Sequence, residues 1–309
     1  MSKAKDNPAS FAPAGAGKTA KPKAPRRTSR ERSHEPEREA DVPVAAAPTK
    51  ATTPRRKRPD VTPKKRPARP KSVLAEDMLR RALEATTPRS RALWARRGLA
   101  TRAQLDRTTQ AMLLRQLYLA YYEETRFAQA AAIAEQALTL DVLPDVAHQD
   151  AARAKQALGD VEGAAAHLRL AARIGPASRK AFHYWTLGSL FYLHHRYPEA
   201  IAAMARAARW GTTDKPLYHG HLALAQIALG QEVDGIDELM DRLLVAPAGS
   251  GYGRFVLGLL ALHAGRPGDA RRYLEAFIDR TTSGRRAAAI ALRGEVEAAR
   301  QALARLPAD

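Results

Sequence analysis

Three stretches of this chain carry residue types that do chemistry in other settings. The first is "PAGAGKTA" (13–20), which ends in Gly17-Lys18-Thr19. Gly-Lys-Thr after a glycine-rich loop is how backbone amides and a lysine cradle nucleotide phosphates. The full signature needs a glycine at position 12, and Ala12 stands there. A working loop also needs an apolar strand before it and a helix N-terminus after it. "MSKAKDNPASFA" has no β-branched run and "KPKAPRR" holds two prolines, so neither flank qualifies. The stretch is expected to be a tail sequence rather than a nucleotide site.

The second is the histidines. Six of the nine fall between His183 and His263, including His194-His195 and the pair His219 and His221. Imidazoles bind metals when several converge, but neighbours on a helix point about 100° apart. No acidic partner stands at a fixed spacing from them, and the chain has no cysteine. No metal site and no cofactor are expected. No Ser/His/Asp set is legible either, and the scattered carboxylates suit solvated helix faces. The expectation is a protein that is not an enzyme.

The third is "KATTPRRKRPDVTPKKRPARPK" (50–71), with ten basic residues and one acid. Thr-Pro followed by two basic residues occurs twice, nine residues apart. The motif resembles the turns of linker-histone tails, which lie in the minor groove of A·T-rich DNA, and the Arg-Pro steps resemble AT-hooks. Proline keeps such a chain extended while guanidinium groups enter a narrow, strongly negative groove. Arg55, Arg56, Lys57, Arg58, Lys64, Lys65 and Arg66 would make the contacts. Nucleic acid, another polyanion such as an acidic protein or anionic membrane surface, and a purely solubilising role all remain open. The acidic run "ERSHEPEREAD" (31–41) would oppose anion binding in part.

Positioning these residues falls to two compositionally distinct parts. Residues 1–72 hold 12 of the 20 prolines and 20 Lys/Arg against 7 Asp/Glu, a net +13 of the chain's +19. Five large apolar residues there cannot form a core, and low hydrophobicity with high charge predicts a disordered arm. The first residues lack an apolar run of seven, so no secretory leader is expected. No uncharged apolar stretch approaches 20 residues, so no membrane-spanning helix is expected either. A soluble cytoplasmic protein is the simplest reading.

Residues 73–309 have helical periodicity punctuated by Gly or Pro, which predicts short antiparallel helices. Arg126, Asp160, Arg196, Gln231 and Arg266 mark equivalent places in five similar segments, with periods of 34, 36, 35 and 35 residues. In the third unit Tyr184, Leu187, Gly188, Phe191, Ala200 and Ala207 follow one pattern; the first has Leu114, Leu117, Tyr118, Tyr121, Ala130 and Ala137; the fifth keeps Leu257, Gly258 and Ala270. This pattern resembles the tetratricopeptide repeat (TPR) family. The second unit departs from it, with His148, Ala151, Ala152 and Lys155, and the fourth has Gly235 where alanine is usual. A glycine inside that helix would loosen it by roughly 1 kcal/mol.

The resemblance implies an all-α TPR-like solenoid, with repeats over about 110–282 and atypical capping helices over 73–99 and 285–306. It also implies that the first helix of each unit lines a concave groove that binds a protein or peptide. Facing that groove would be Arg115, Leu119 and Tyr122, then Gln149, Arg153 and Gln156, then Trp185, Ser189 and Tyr192. Leu224, Ile227, Phe255, Leu259 and Leu262 continue the face, or simply pack inside a tight superhelix. Some family members clamp a peptide carboxylate with a lysine and asparagines. Here Arg115, Gln149, Trp185, Gly220 and Phe255 occupy one row of those places, so that clamp is absent. The expected function is an adaptor with a basic tether. The alternatives are a nucleic-acid-associated protein working through its arm, and an assembly factor forming homo-oligomers through its repeats.

Overall fold

The computed structural model describes residues 71–101 and 105–307, and among these every regular element is helical. The arm expected over 1–72, with all seven of its proposed anion contacts, lies outside the described residues up to position 70. Two leading helices, α1 (Lys71–Glu84) and α2 (Pro88–Leu99), meet at a turn where Thr87 Oγ1 accepts from the Ser90 amide at 3.2 Å. That side chain satisfies an amide the helix cannot.

Five helix pairs follow. They are α3 (Arg107–Glu123) with α4 (Phe127–Leu138), α5 (Pro144–Ala157) with α6 (Val161–Ile174), and α7 (Ala177–Leu193) with α8 (Tyr197–Trp210). Then come α9 (Lys215–Ala228) with α10 (Ile236–Val245), and α11 (Gly253–His263) with α12 (Pro267–Ser283). Each helix packs on the next in series, as in a solenoid.

The repeat is written into the backbone at the turn inside each pair. Thr125, Gly159, His195, Gly230 and Gly265 all have positive φ, at 61°, 81°, 57°, 82° and 69°. The following residue's amide closes a six-residue turn each time: Arg126 onto Tyr121, Asp160 onto Lys155, Arg196 onto Phe191, Gln231 onto Gln226, Arg266 onto Ala261. This left-handed cap satisfies carbonyls that a helix end leaves open.

Small residues fix the spacing of each pair. Ala130, Ala164, Ala200 and Ala270 are fully buried where second helix meets first. Gly188 lies against Met204 and Gly258 against Leu274, so closely that an added Cβ would stand 2.5 Å from a side-chain carbon in either case. The second unit compensates for its lack of large residues with small ones: Ala152 of α5 packs with Ala164 and Ala165 of α6, and Ala151 with Ala130, Ala131 and Ala134 of α4, all buried. Gly235 corrects the sequence expectation. It is not inside a helix but precedes α10 with φ 67°, so the fourth unit has a late-starting second helix instead of a loosened one.

The final helices, α13 (Arg286–Ala291) and α14 (Arg293–Ala304), do more than cover the last pair. Helix α14 packs on α12 and α11 but also reaches α7, and α13 touches α12, α3 and α5. The end of the stack therefore meets its first repeats. The apolar face of α9 and α11 is buried accordingly, with Leu224 and Phe255 at zero exposure and Leu259 at 8%.

Candidate functional site

The first helices α3, α5, α7 and α11, together with α13 and α14, line two neighbouring clefts, open to solvent, of about 1060 and about 380 Å³. Tyr122 and Arg153 line both. Gln156 and Tyr192 open into the larger one, Leu119 and Trp185 into the smaller. Six of the nine groove residues read from sequence thus stand together around one space.

The other three are held by partners from other helices. Arg115 pairs with buried Asp150 of α5 through Nε at 3.3 Å. Burial pushes the Asp150 carboxyl up, against the opposing pull of Arg115 and Arg153. Gln149 is buried against His183 Nδ1 at 2.9 Å, and His183 Nε2 reaches Asp145 at 3.0 Å. Burial holds His183 below its ordinary range despite Asp145. A neutral ring that donates to Asp145 needs Nδ1 to accept, so the Gln149 amide group must be turned to donate there. Arg179 completes this joint between α5 and α7, donating to Asp145 at 2.6 and 2.9 Å. Burial alone would raise Asp145; the bonds from Arg179 and His183 outweigh it and leave the carboxyl below its usual value.

Ser189 leads to the most unusual group in the molecule. Its Oγ donates to Glu295 Oε1 of α14 at 3.1 Å, and the Tyr252 hydroxyl donates to the same oxygen at 3.3 Å. Glu295 is 5% exposed, and its Oε2 is buried with no partner. Burial pushes its pKa up to about 7, against the smaller opposing effect of these hydrogen bonds. The carboxyl therefore keeps its proton to a higher pH than an ordinary glutamate does, and Oε2 is the oxygen left free to carry it.

Around Ser189 and Tyr252 lies an aromatic cluster. Trp185 meets Tyr252 edge to face with ring centres 4.7 Å apart. Trp185 Nε1 donates to His221 Nδ1 at 3.1 Å, which fixes the proton of the neutral ring on Nε2. His221 is fully buried, and that burial depresses its pKa to about 3. Burial also raises Tyr122 and Tyr192 to about 12, so both are neutral hydroxyl groups facing the large cavity.

Sequence reasoning missed Tyr252 and Glu295. "SGYGRF" reads as a loop, and Glu295 reads as one more solvated acid on an amphipathic helix. The return of α14 to α7 brings Glu295 onto Ser189, and the start of α11 brings Tyr252 there. His194, His195 and His263 also line the large cavity, but His195 is engaged with the Tyr197 hydroxyl at 2.7 Å. Among the described residues no three His, Asp or Glu side chains are grouped as metal ligands, and no helix is long and apolar enough to cross a membrane.

The charge around the cavities is lopsided. Arg153, Arg293 and Arg305 line the large one against a single carboxylate, Glu297; Arg153 and Arg285 line the small one against none. No hydrogen bond or ion pair joins these four arginines to a described residue. The arrangement suits recognition: rigid aromatics supply contact area, and unpaired guanidinium groups supply donors. No family model matches the chain, and no curated protein matches it.

Proposed function

We propose that this chain is a TPR-type adaptor that binds a protein or peptide segment inside its helical stack, with the basic arm as a tether to an anionic surface. The observation that carries this reading is the convergence of Leu119, Tyr122, Arg153, Gln156, Trp185 and Tyr192 on two neighbouring clefts that share Tyr122 and Arg153. These residues come from three consecutive repeats, which is how a solenoid builds a continuous binding surface. Their volume, about 1060 plus about 380 Å³, suits several side chains of an extended or helical segment. The arm's share rests on composition: net +13 over 72 residues, concentrated at 50–71.

The test is selection of a random peptide library on the full chain, followed by anisotropy of the enriched peptides. Binding should weaken at least tenfold in Tyr192→Ala and in Arg153→Ala, each checked for wild-type helicity. Failure to enrich any peptide, or affinities indifferent to both substitutions, would remove the adaptor reading. For the arm, a labelled A·T-rich duplex is titrated with the full chain and with a chain whose seven basic residues between Arg55 and Arg66 are changed to Gln. If about five charges meet phosphates, the log–log salt slope is near −4.5, roughly 500-fold between 50 and 200 mM. Equal binding by both chains would remove the nucleic-acid branch.

A further inference from the structure

The seat of α13 on the first repeats has features of a ligand site with a poor occupant. Helix α13 has six residues and none is buried. It docks by Ala287 and Ile290, one turn apart, against the Tyr118 and Tyr122 cluster of α3. Residues of this segment line both clefts: Ile290 and Ala291 the one of about 1060 Å³, Ala287, Ala288 and Ala291 the one of about 380 Å³. Charge around the seat is one-sided: exposed Arg285 and Arg293, which bracket α13, line the same clefts as Arg153 of α5, against the single carboxylate Glu297.

We propose that the α13 seat is the anchoring subsite of the groove, and that its ligand is an acidic amphipathic helix. That helix presents two small or branched apolar residues one turn apart, as Ala287 and Ile290 do, with carboxylates at the flanking places that Arg285 and Arg293 hold here. It enters by displacing α13. A helix laid into an apolar groove is a recurrent mode of recognition, with anchors at i and i+3. The chain's own segment shows the apolar half of the code, and the unpaired Arg153 supplies the charge half. Displacement leaves the pairs α3 to α12 in place, because α13 follows them and is joined to α12 through the exposed Gly284. This proposal rests on the adaptor reading.

The experiment uses the full chain and two fluorescein-labelled peptides. One is residues 285–306 as they stand; the other has Arg285, Arg286 and Arg293 changed to Glu. At 50 mM salt the acidic peptide should bind at least tenfold more tightly than the native one, with the advantage shrinking at 500 mM. Ile290→Asp in the chain should free the seat and tighten both peptides about tenfold, and Ile290→Asp in the acidic peptide should abolish its binding. Ala287→Asp serves as the second seat-opening variant should Ile290→Asp lose helicity. Equal affinity of the two peptides, or no gain when the seat is opened in a folded chain, overturns the proposal. Library-selected peptides separate the two levels. Should they bind in a Tyr192-dependent way without competing with the acidic peptide, the groove reading stands and the α13 seat is wrong. Should neither set bind, both fall.

Discussion

Replacing Glu295 by glutamine should make the protein more stable above neutral pH and leave it nearly unchanged near pH 5. In the folded chain the carboxyl has its pKa raised to about 7 from an ordinary 4.5. A raised folded pKa means that stability is fully present below 4.5 and is lost as pH rises through about 7. At 1.36 kcal/mol per pH unit, that interval amounts to about 3 kcal/mol, most of it lost between pH 5 and 8. The glutamine side chain would keep the acceptor for Ser189 and Tyr252. Its amide would replace the Oε2 proton with another donor that has no partner, so the variant mimics the protonated acid and not the ionised one. Urea unfolding of both chains by circular dichroism at pH 5, 6, 7, 8 and 9 gives the answer. The difference between them at each pH removes the titrations they share, those of His148, His167, His183 and His221. The stability gap should open with pH toward about 3 kcal/mol in favour of the Glu295→Gln chain. Parallel curves would show that Glu295 is not buried against Ser189 and Tyr252, and the return of α14 to α7 would have to be abandoned.

Asp145→Asn should cost about 2 kcal/mol, since it breaks the charged bond to Arg179 across α5 and α7. Because Asp145 is held below its ordinary pKa, its contribution is present above 3.8 and lost in acid, so the variant's stability should also be flatter below pH 4; an unchanged melting profile would discount the joint. Thr125→Gly should stabilise by about 0.5–1 kcal/mol, as the strain of a β-branched residue at φ 61° exceeds the entropy glycine loses on folding. A loss in calorimetry would contradict the left-handed turn. Gly258→Ala should destabilise by about 1–3 kcal/mol, because the new methyl meets Leu274 Cγ at 2.5 Å and the Ala270 carbonyl at 3.3 Å. Neutral behaviour in the same assay would mean that α11 and α12 are spaced more widely than described.

Much of the architecture was legible in the residues. Helical periodicity and the recurrence at Arg126, Asp160, Arg196, Gln231 and Arg266 give five helix pairs, and the observed positive-φ turns fall one residue before each of those positions. Gly159, Gly230 and Gly265 announce their turns because glycine alone enters that conformation without strain. Thr125 and His195 do not, since the neighbouring helices impose the conformation on them. Gly235 misleads for a related reason: a glycine in an aligned position reads as a helix interior until the chain's path shows that the helix starts after it.

The candidate site divides along the same line. Helical spacing determines which side chains share a face, and so Leu119, Tyr122, Arg153, Gln156, Trp185 and Tyr192 could be grouped from sequence alone. It carries no information about what lies opposite that face. Arg115, Gln149 and Ser189 have the same spacing, yet each is taken by a partner 35, 34 or 106 residues away. The burial that moves Glu295 to about 7 and His221 to about 3 also comes from distant helices. Local composition and periodicity therefore settled the helices, their pairing and the charge of the chain. The curl of the stack decided the rest, because only when α13 and α14 meet the first repeats does a row of side chains become one wall of a cleft.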